Sequence, residues 1–216
     1  MLGVFIVVSN GHLPRSGPMR VVVTEFISLD GVVQAPGGPE EDTDGGFAHG
    51  GWSHPFFDPE VVGGAFAAGL EKAEALLYGR RTYLTMAAAW PERAGDPFAD
   101  RLNSMKKYVV SDSLSDDELS WENTVRIPGA QALDKVRELR ASEGGDLAMM
   151  GSPTLVRALI AAGLVDELQL VVMPVLLGGG KSVFPADGGL RSWELVSSAT
   201  AKTGAQVNVY RPAERS

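Results

Sequence analysis

Three short segments of this chain combine small residues, hydroxyls and cations in the way an anion site requires. The first is Gly151-Ser152-Pro153-Thr154, which follows an apolar run at residues 147–150 and opens a helical pattern that ends at Gly163. A strand that delivers a small-residue turn onto a helix N-terminus leaves free N–H groups at the positive end of the helix dipole, where a phosphate can dock. Ser152 is the expected N-cap and Pro153 the first helical residue, with Leu155, Leu159 and Ile160 as the buried stripe. The second segment, Gly79-Arg80-Arg81-Thr82, sets two guanidinium forks at another strand-to-helix junction. Such forks match phosphate oxygens. The third, Ser111-Asp112-Ser113, puts hydroxyl donors after a strand at residues 107–110. Taken singly, the second also reads as a solvated basic helix start and the third as a plain turn. In open α/β sheets ligands gather at the carboxyl ends of strands, so the three together point to one extended anionic ligand.

Other chemistries are excluded by what is missing. No G-x-G-x-x-G follows a strand, so a Rossmann dinucleotide unit is not indicated. Gly180-Lys181-Ser182 resembles the end of a phosphate loop, but Val175 stands where that loop needs glycine. His49 and His54, with Asp42, Asp44 and Asp58 nearby, lack compact ligand spacing, and no metal is expected. The absence of cysteine removes thiol catalysis and disulfides. A net charge of −8 argues against a nucleic-acid partner.

The elements that must position these segments alternate between strand and helix. Residues 20–27 are β-branched and apolar, a buried strand that turns out through Ser28-Leu29-Asp30-Gly31. Residues 35–51 form a glycine- and acid-rich loop long enough to act as a lid. A helix over 58–73, a strand over 75–78, a helix over 82–89 and a short helix over 97–105 follow. Next come strands at 107–110 and 124–127 and a helix over 130–141 with Leu133, Val136 and Leu139 on one face. A long apolar strand lies beyond Gly163, and residues 193–202 and 205–211 form a terminal hairpin joined at Thr203-Gly204. The expected fold is α/β, with a mostly parallel sheet, an antiparallel C-terminal hairpin and helices on both faces. At 216 residues the chain reads as a flexible extension, 1–18, and one domain, 19–216. The apolar run at residues 2–8 is too short to span a bilayer and no targeting signal is recognisable, so a cytoplasmic location with no membrane partner is expected.

The chain resembles the dihydrofolate reductase-like superfamily. More narrowly, it is similar to the C-terminal reductase domain of the bifunctional riboflavin-biosynthesis deaminase-reductase and its stand-alone relatives. The motifs that carry this are Ser28-Leu29-Asp30-Gly31, Leu77-Tyr78-Gly79-Arg80-Arg81-Thr82-Tyr83, Tyr108-Val109-Val110-Ser111, Met150-Gly151-Ser152-Pro153-Thr154-Leu155, and Gly163-Leu164-Val165-Asp166-Glu167-Leu168 running on to the glycines at 178–180. The resemblance implies an NADPH-dependent reductase of a small heterocyclic substrate, pteridine- or pyrimidine-like. It implies that Gly79, Arg80, Arg81 and Thr82 lie along the cofactor, and that Arg80 or Arg81, with Ser111, meets the adenosine 2′-phosphate. Gly151, Ser152, Thr154 and Leu155 would hold the pyrophosphate, although Ser152 departs from the family's usual glycine.

On the substrate side, Asp30 and Gly31 would sit near the nicotinamide. Asp30 would bind amino groups or relay a proton, or else cap its turn. Asp58 and Glu71 are candidates for the acid that grips the heterocycle. Trp52, Phe56, Phe57, Tyr83 and Trp90 would stack on a flat ring or pack the core. The acidic loop disfavours a phosphorylated substrate, and Lys181 is the one cation near the glycine run. Two alternatives stay open: the riboflavin-pathway 5-amino-6-(5-phosphoribosylamino)uracil reductase itself, and an NADPH-binding regulator without turnover. A homodimer is implied by analogy, with residues 168–177 apolar enough to lie beside a partner.

Overall fold

The computed structural model describes residues 17–214. Eight strands form one sheet: β1 (Arg20–Ser28), β2 (Ala73–Gly79), β3 (Lys106–Val110), β4 (Thr124–Ile127), β5 (Asp146–Met150), β6 (Glu167–Met173), β7 (Trp193–Thr200) and β8 (Gln206–Pro212). Their spatial order is β4-β3-β2-β5-β1-β6-β8-β7. Every neighbouring pair from β4 to β6 is parallel, and β8 runs antiparallel to both β6 and β7. The expected parallel sheet with a C-terminal hairpin is the observed one.

Successive residues of a strand face opposite sides of a sheet, so each central strand feeds two cores. Val21, Val23 and Ile27 of β1 pack with Val136 and Leu139 of α4 (Ala132–Ala141) and with Val156, Leu159 and Ile160 of α5 (Pro153–Ala161). On the other face, Leu76, Tyr78 and Val109 meet Leu70, Tyr83 and Leu102 from α1 (Gly64–Lys72), α2 (Arg80–Ala89) and α3 (Pro97–Ser104). Coverage on both sides is why β1 and β2 read as near-continuous apolar runs. Glu25 interrupts that run. Its side chain is 3% exposed, and its Oε1 has no hydrogen-bond partner among the described residues.

Several expectations are corrected in detail. The helix foreseen over 58–73 is a wide π-helical turn, Pro59–Gly63, followed by α1, because pairing with Asp146 draws Ala73 into β2. In α5, Val156 takes the fully buried place expected for Leu155, which is only partly covered. Within residues 168–177, expected to lie beside a partner, β6 is flanked by β1 and β8. Leu168, Val171 and Met173 are buried, and Leu176 is the exposed apolar residue of the segment. Of the expected N-terminal extension, residues 1–16 lie outside the described residues, while Pro18 bridges Glu143 and Met19 is buried. Among the described residues no helix is long and apolar enough to cross a membrane.

The amino-terminal edge of the sheet carries a lattice of charge. Arg20 donates to Asp146 at 2.9 and 3.0 Å and to Glu167 at 3.1 Å, and Arg211 joins Glu167 at 3.0 Å. Asp166 accepts the Val21 N–H at 2.8 Å and Arg140 Nε at 2.9 Å. The Asp166-Glu167 pair of the Gly163–Leu168 motif is therefore an anchor of strand edges.

Candidate functional site

Because β4 to β6 run parallel, their carboxyl ends share one edge, and the three segments with anion-binding chemistry lie there. β2 and β5 are neighbours, so the junctions that follow them meet. Ser152 has a left-handed backbone (φ 73°) and makes no side-chain cap. Its hydroxyl instead accepts the Gly79 N–H at 2.7 Å, while its carbonyl starts the helix by accepting the Val156 N–H at 3.0 Å. Ser152 is the N-cap and Pro153 the first helical residue, as expected, but the side chain does not cap: its hydroxyl meets β2 and not the first helical turn. A Cβ on Gly79 would stand 3.4 Å from Ser152 Cβ and Oγ. Gly151 (φ +79°) has the tighter constraint, since its added Cβ would lie 3.1 Å from Thr82 Cγ2. The two junctions thus interlock, and the N-termini of α2 and α5 converge with no side-chain cap on either.

The paired arginines differ in their partners. Arg80 is exposed, and its charge lowers further the Glu118 carboxyl, which the Ser115 N–H and hydroxyl hold below its ordinary range. Arg81 pairs with Asp42 at 3.2 Å and with Asp44. Ser111 is buried and its Oγ accepts from the N–H groups of Ser113 (3.2 Å) and Leu114 (3.0 Å), so it shapes the turn at this strand end. Thr154 is exposed and Leu155 half-buried at the start of α5.

Asp30 fastens two segments together. Its carboxylate accepts from the Ser28 hydroxyl at 2.5 Å, Leu177 N at 3.1 Å and Gly178 N at 2.7 Å. These donors hold it ionised, below its usual range, led by the Ser28 hydroxyl. Gly31 (φ 82°) closes the same turn.

The aromatic candidates separate. Trp52 is buried and donates to the Gln34 carbonyl at 2.7 Å. Tyr83 is fully buried, its hydroxyl accepting the Trp121 N–H, and Trp90 packs on Phe98 under Arg93. Phe56 is half-buried against the cluster of Trp52 and Val62, and Phe57 is exposed. Asp58 accepts from the N–H groups of Glu60 and Val61, capping the π-helical turn, and Glu71 is exposed on α1. Among the described residues no group of three or more His, Cys, Asp or Glu could hold a metal ion.

Sequence reading passed over two buried groups near this edge. Gln34 is 3% exposed and links the long loop to the glycine run through both ends of its amide. Glu25 lies three residues before the end of β1, and burial, with Glu41 adding to it, pushes its carboxyl up to about 8. A lone acid inside a β-branched run was the available signal for the second. Gln34, between Val33 and Ala35 at the start of the long loop, gave none. A cavity of about 300 Å³, lined by Ile160, Leu168, Leu170, Phe184, Trp193 and Tyr210 among others, lies on the α5 side, away from the strand ends.

The RibD C-terminal domain model matches residues 19–207. The chain belongs to that family. A curated relative, the uncharacterised protein YyaP of Bacillus subtilis strain 168, is 26% identical over 196 residues, covering 88% of this chain and 94% of YyaP. Among solved structures, a candidate riboflavin-biosynthesis protein of Shewanella sp. PV-4 superposes with a TM-score of 0.65 at 19% identity, covering 91% of this chain and all of that one. Dihydrofolate reductase of Enterococcus faecalis, complexed with NADP(H), gives a TM-score of 0.56 at 15% identity, covering 94% of this chain and all of the other. These likenesses make the fold dihydrofolate reductase-like.

Proposed function

We propose that this chain is an NADPH-dependent reductase of a small pyrimidine- or pteridine-like heterocycle. The observation that carries the reading is the interlocked pair of helix starts, Gly79 against Ser152 and Gly151 against Thr82. Two uncapped N-termini of helices nine and ten residues long meet there, with backbone approach kept open by two glycines. That cradle suits a pyrophosphate. The Enterococcus faecalis enzyme of the same fold holds NADP(H), which supports the choice of ligand. Arg80, exposed at the start of α2 and outside the ion pairs that hold Arg81, is the residue we assign to the 2′-phosphate. Thr154 and Leu155 offer first-turn N–H groups.

Bound NADPH would supply a hydride to an electron-poor ring carbon. The chain's own residues bind, orient and shield. Asp30, held ionised by three donors, positions the turn and the glycine run and is not a proton donor near neutral pH. Fluorescence titration tests the reading. NADPH should bind more tightly than NADH, and Arg80→Ala should erase about tenfold to a hundredfold of that preference. Equal binding of the two cofactors by the unaltered protein would refute it.

A further inference from the structure

The long acidic loop ties together two cations at strand ends. Arg81 stands at the start of α2, after β2, and Lys181 follows the glycine run beyond β6. Between β2 and β6 in the sheet lie only β5 and β1. The loop spans that gap by putting two aspartates on both cations. Asp42 meets Arg81 at 3.2 Å and Lys181 Nζ at 2.5 Å, and Asp44 meets Lys181 Nζ at 2.8 Å and also Arg81. The Asp44 carboxyl is held down to about 2 by the Arg81 and Lys181 contacts.

This strap is built into the fold. The buried Gln34 amide donates to the carbonyls of Asp42 and Asp44, each at 3.0 Å, and accepts the Lys181 N–H at 3.1 Å. Trp52 Nε1 holds the Gln34 carbonyl in turn. Gly180 lies so close that an added Cβ would stand 2.6 Å from Val32 and 3.2 Å from Phe47.

We infer that the Asp42–Asp44 strap sets substrate charge, occupying with its own carboxylates the cations a substrate phosphate would need, so that the chain takes an unphosphorylated heterocycle. The inference rests on the reductase reading for its substrate class. A phosphate arriving at Arg81 and Lys181 would meet the carboxylates of Asp42 and Asp44 against two cations already paired. Like charges so placed repel.

The test uses inorganic phosphate as the probe, titrated calorimetrically into the full chain, Asp42→Asn/Asp44→Asn, and the same pair with Lys181→Ala. The double variant should bind phosphate at least about tenfold more tightly than the unaltered chain, and Lys181→Ala should abolish the gain. The inference is overturned if the unaltered chain already binds phosphate as tightly in a Lys181-dependent way. It is equally overturned if freeing the cations brings no gain. The titration needs no cofactor, so a failure of NADPH to bind would count against the reductase reading and leave this result standing.

Discussion

Glu25→Gln should remove the share of the pH dependence of stability that Glu25 supplies; Glu41, whose carboxyl burial also raises, stays in both proteins and so drops out of the comparison. The carboxyl is buried in β1 with Oε1 unpartnered, and burial raises it from 4.5 to about 8. In that window the folded state binds a proton that the unfolded chain releases. The sign follows: stability falls as pH rises from near the unfolded value through the folded one. At about 1.4 kcal/mol per unit, the full effect is about 5 kcal/mol, of which about 3 kcal/mol falls between roughly pH 5 and pH 7.5. Asp30, Asp44 and Asp187 shift the other way and titrate below this range, so they do not mask it. Urea unfolding followed by tryptophan fluorescence at several pH values, with constant m, measures the slope directly. Glu25→Gln should be flatter than the unaltered protein by that amount, whatever its absolute stability. Parallel pH profiles for the two proteins would refute the argument and require a partner for Glu25 that the folded chain conceals.

Two further substitutions probe the frame. Gly151→Ala meets both a left-handed backbone and Thr82 Cγ2 at 3.1 Å, so it should cost about 1–3 kcal/mol in thermal unfolding and weaken NADPH binding together. Lys107 is fully buried, its Nζ donating to the carbonyls of Asn103, Met105 and Glu122 and lying 4.5 Å from the Trp121 ring centre. Lys107→Met strands three acceptors and should lose about 2–4 kcal/mol by urea unfolding, while loss below about 0.5 kcal/mol would contradict the assigned role.

The parallel sheet, its hairpin and the three strand-end segments were legible because each rests on local pattern: β-branched runs, helix-period stripes, and glycine or serine at junctions. What escaped depends on contacts across the chain. Ser152 is legible as the N-cap from its neighbours alone, but where its hydroxyl goes is not. Only the adjacency of β2 and β5, set by the whole sheet, turns its hydroxyl to Gly79. The two arginines are indistinguishable in sequence, and they part because the 42–44 strap pairs with Arg81 and leaves Arg80 exposed. Tyr83 and Trp90 read equally as ring-stackers or core, and packing among α2, α3 and Trp121 puts both in the core. The acidity of the long loop was plain, but its pairing with Arg81 and Lys181 spans 37 and 137 residues from Asp44 and has no local signature.

The charge lattice at the amino edge bears on the opposite end of the sheet. A strand slipped by one residue exchanges its two faces. Arg20, gripped by Asp146 and Glu167, and Val21, whose N–H is held by Asp166, let β1 sit at one offset relative to β5 and β6. That offset alone delivers Asp30 to the backbone of Leu177 and Gly178, and Thr24 to its place opposite Met150. The carboxyl edge can be made of glycines, turns and exposed loops because its alignment is fixed about eight residues away. The amino edge thus works as the index mark of the sheet.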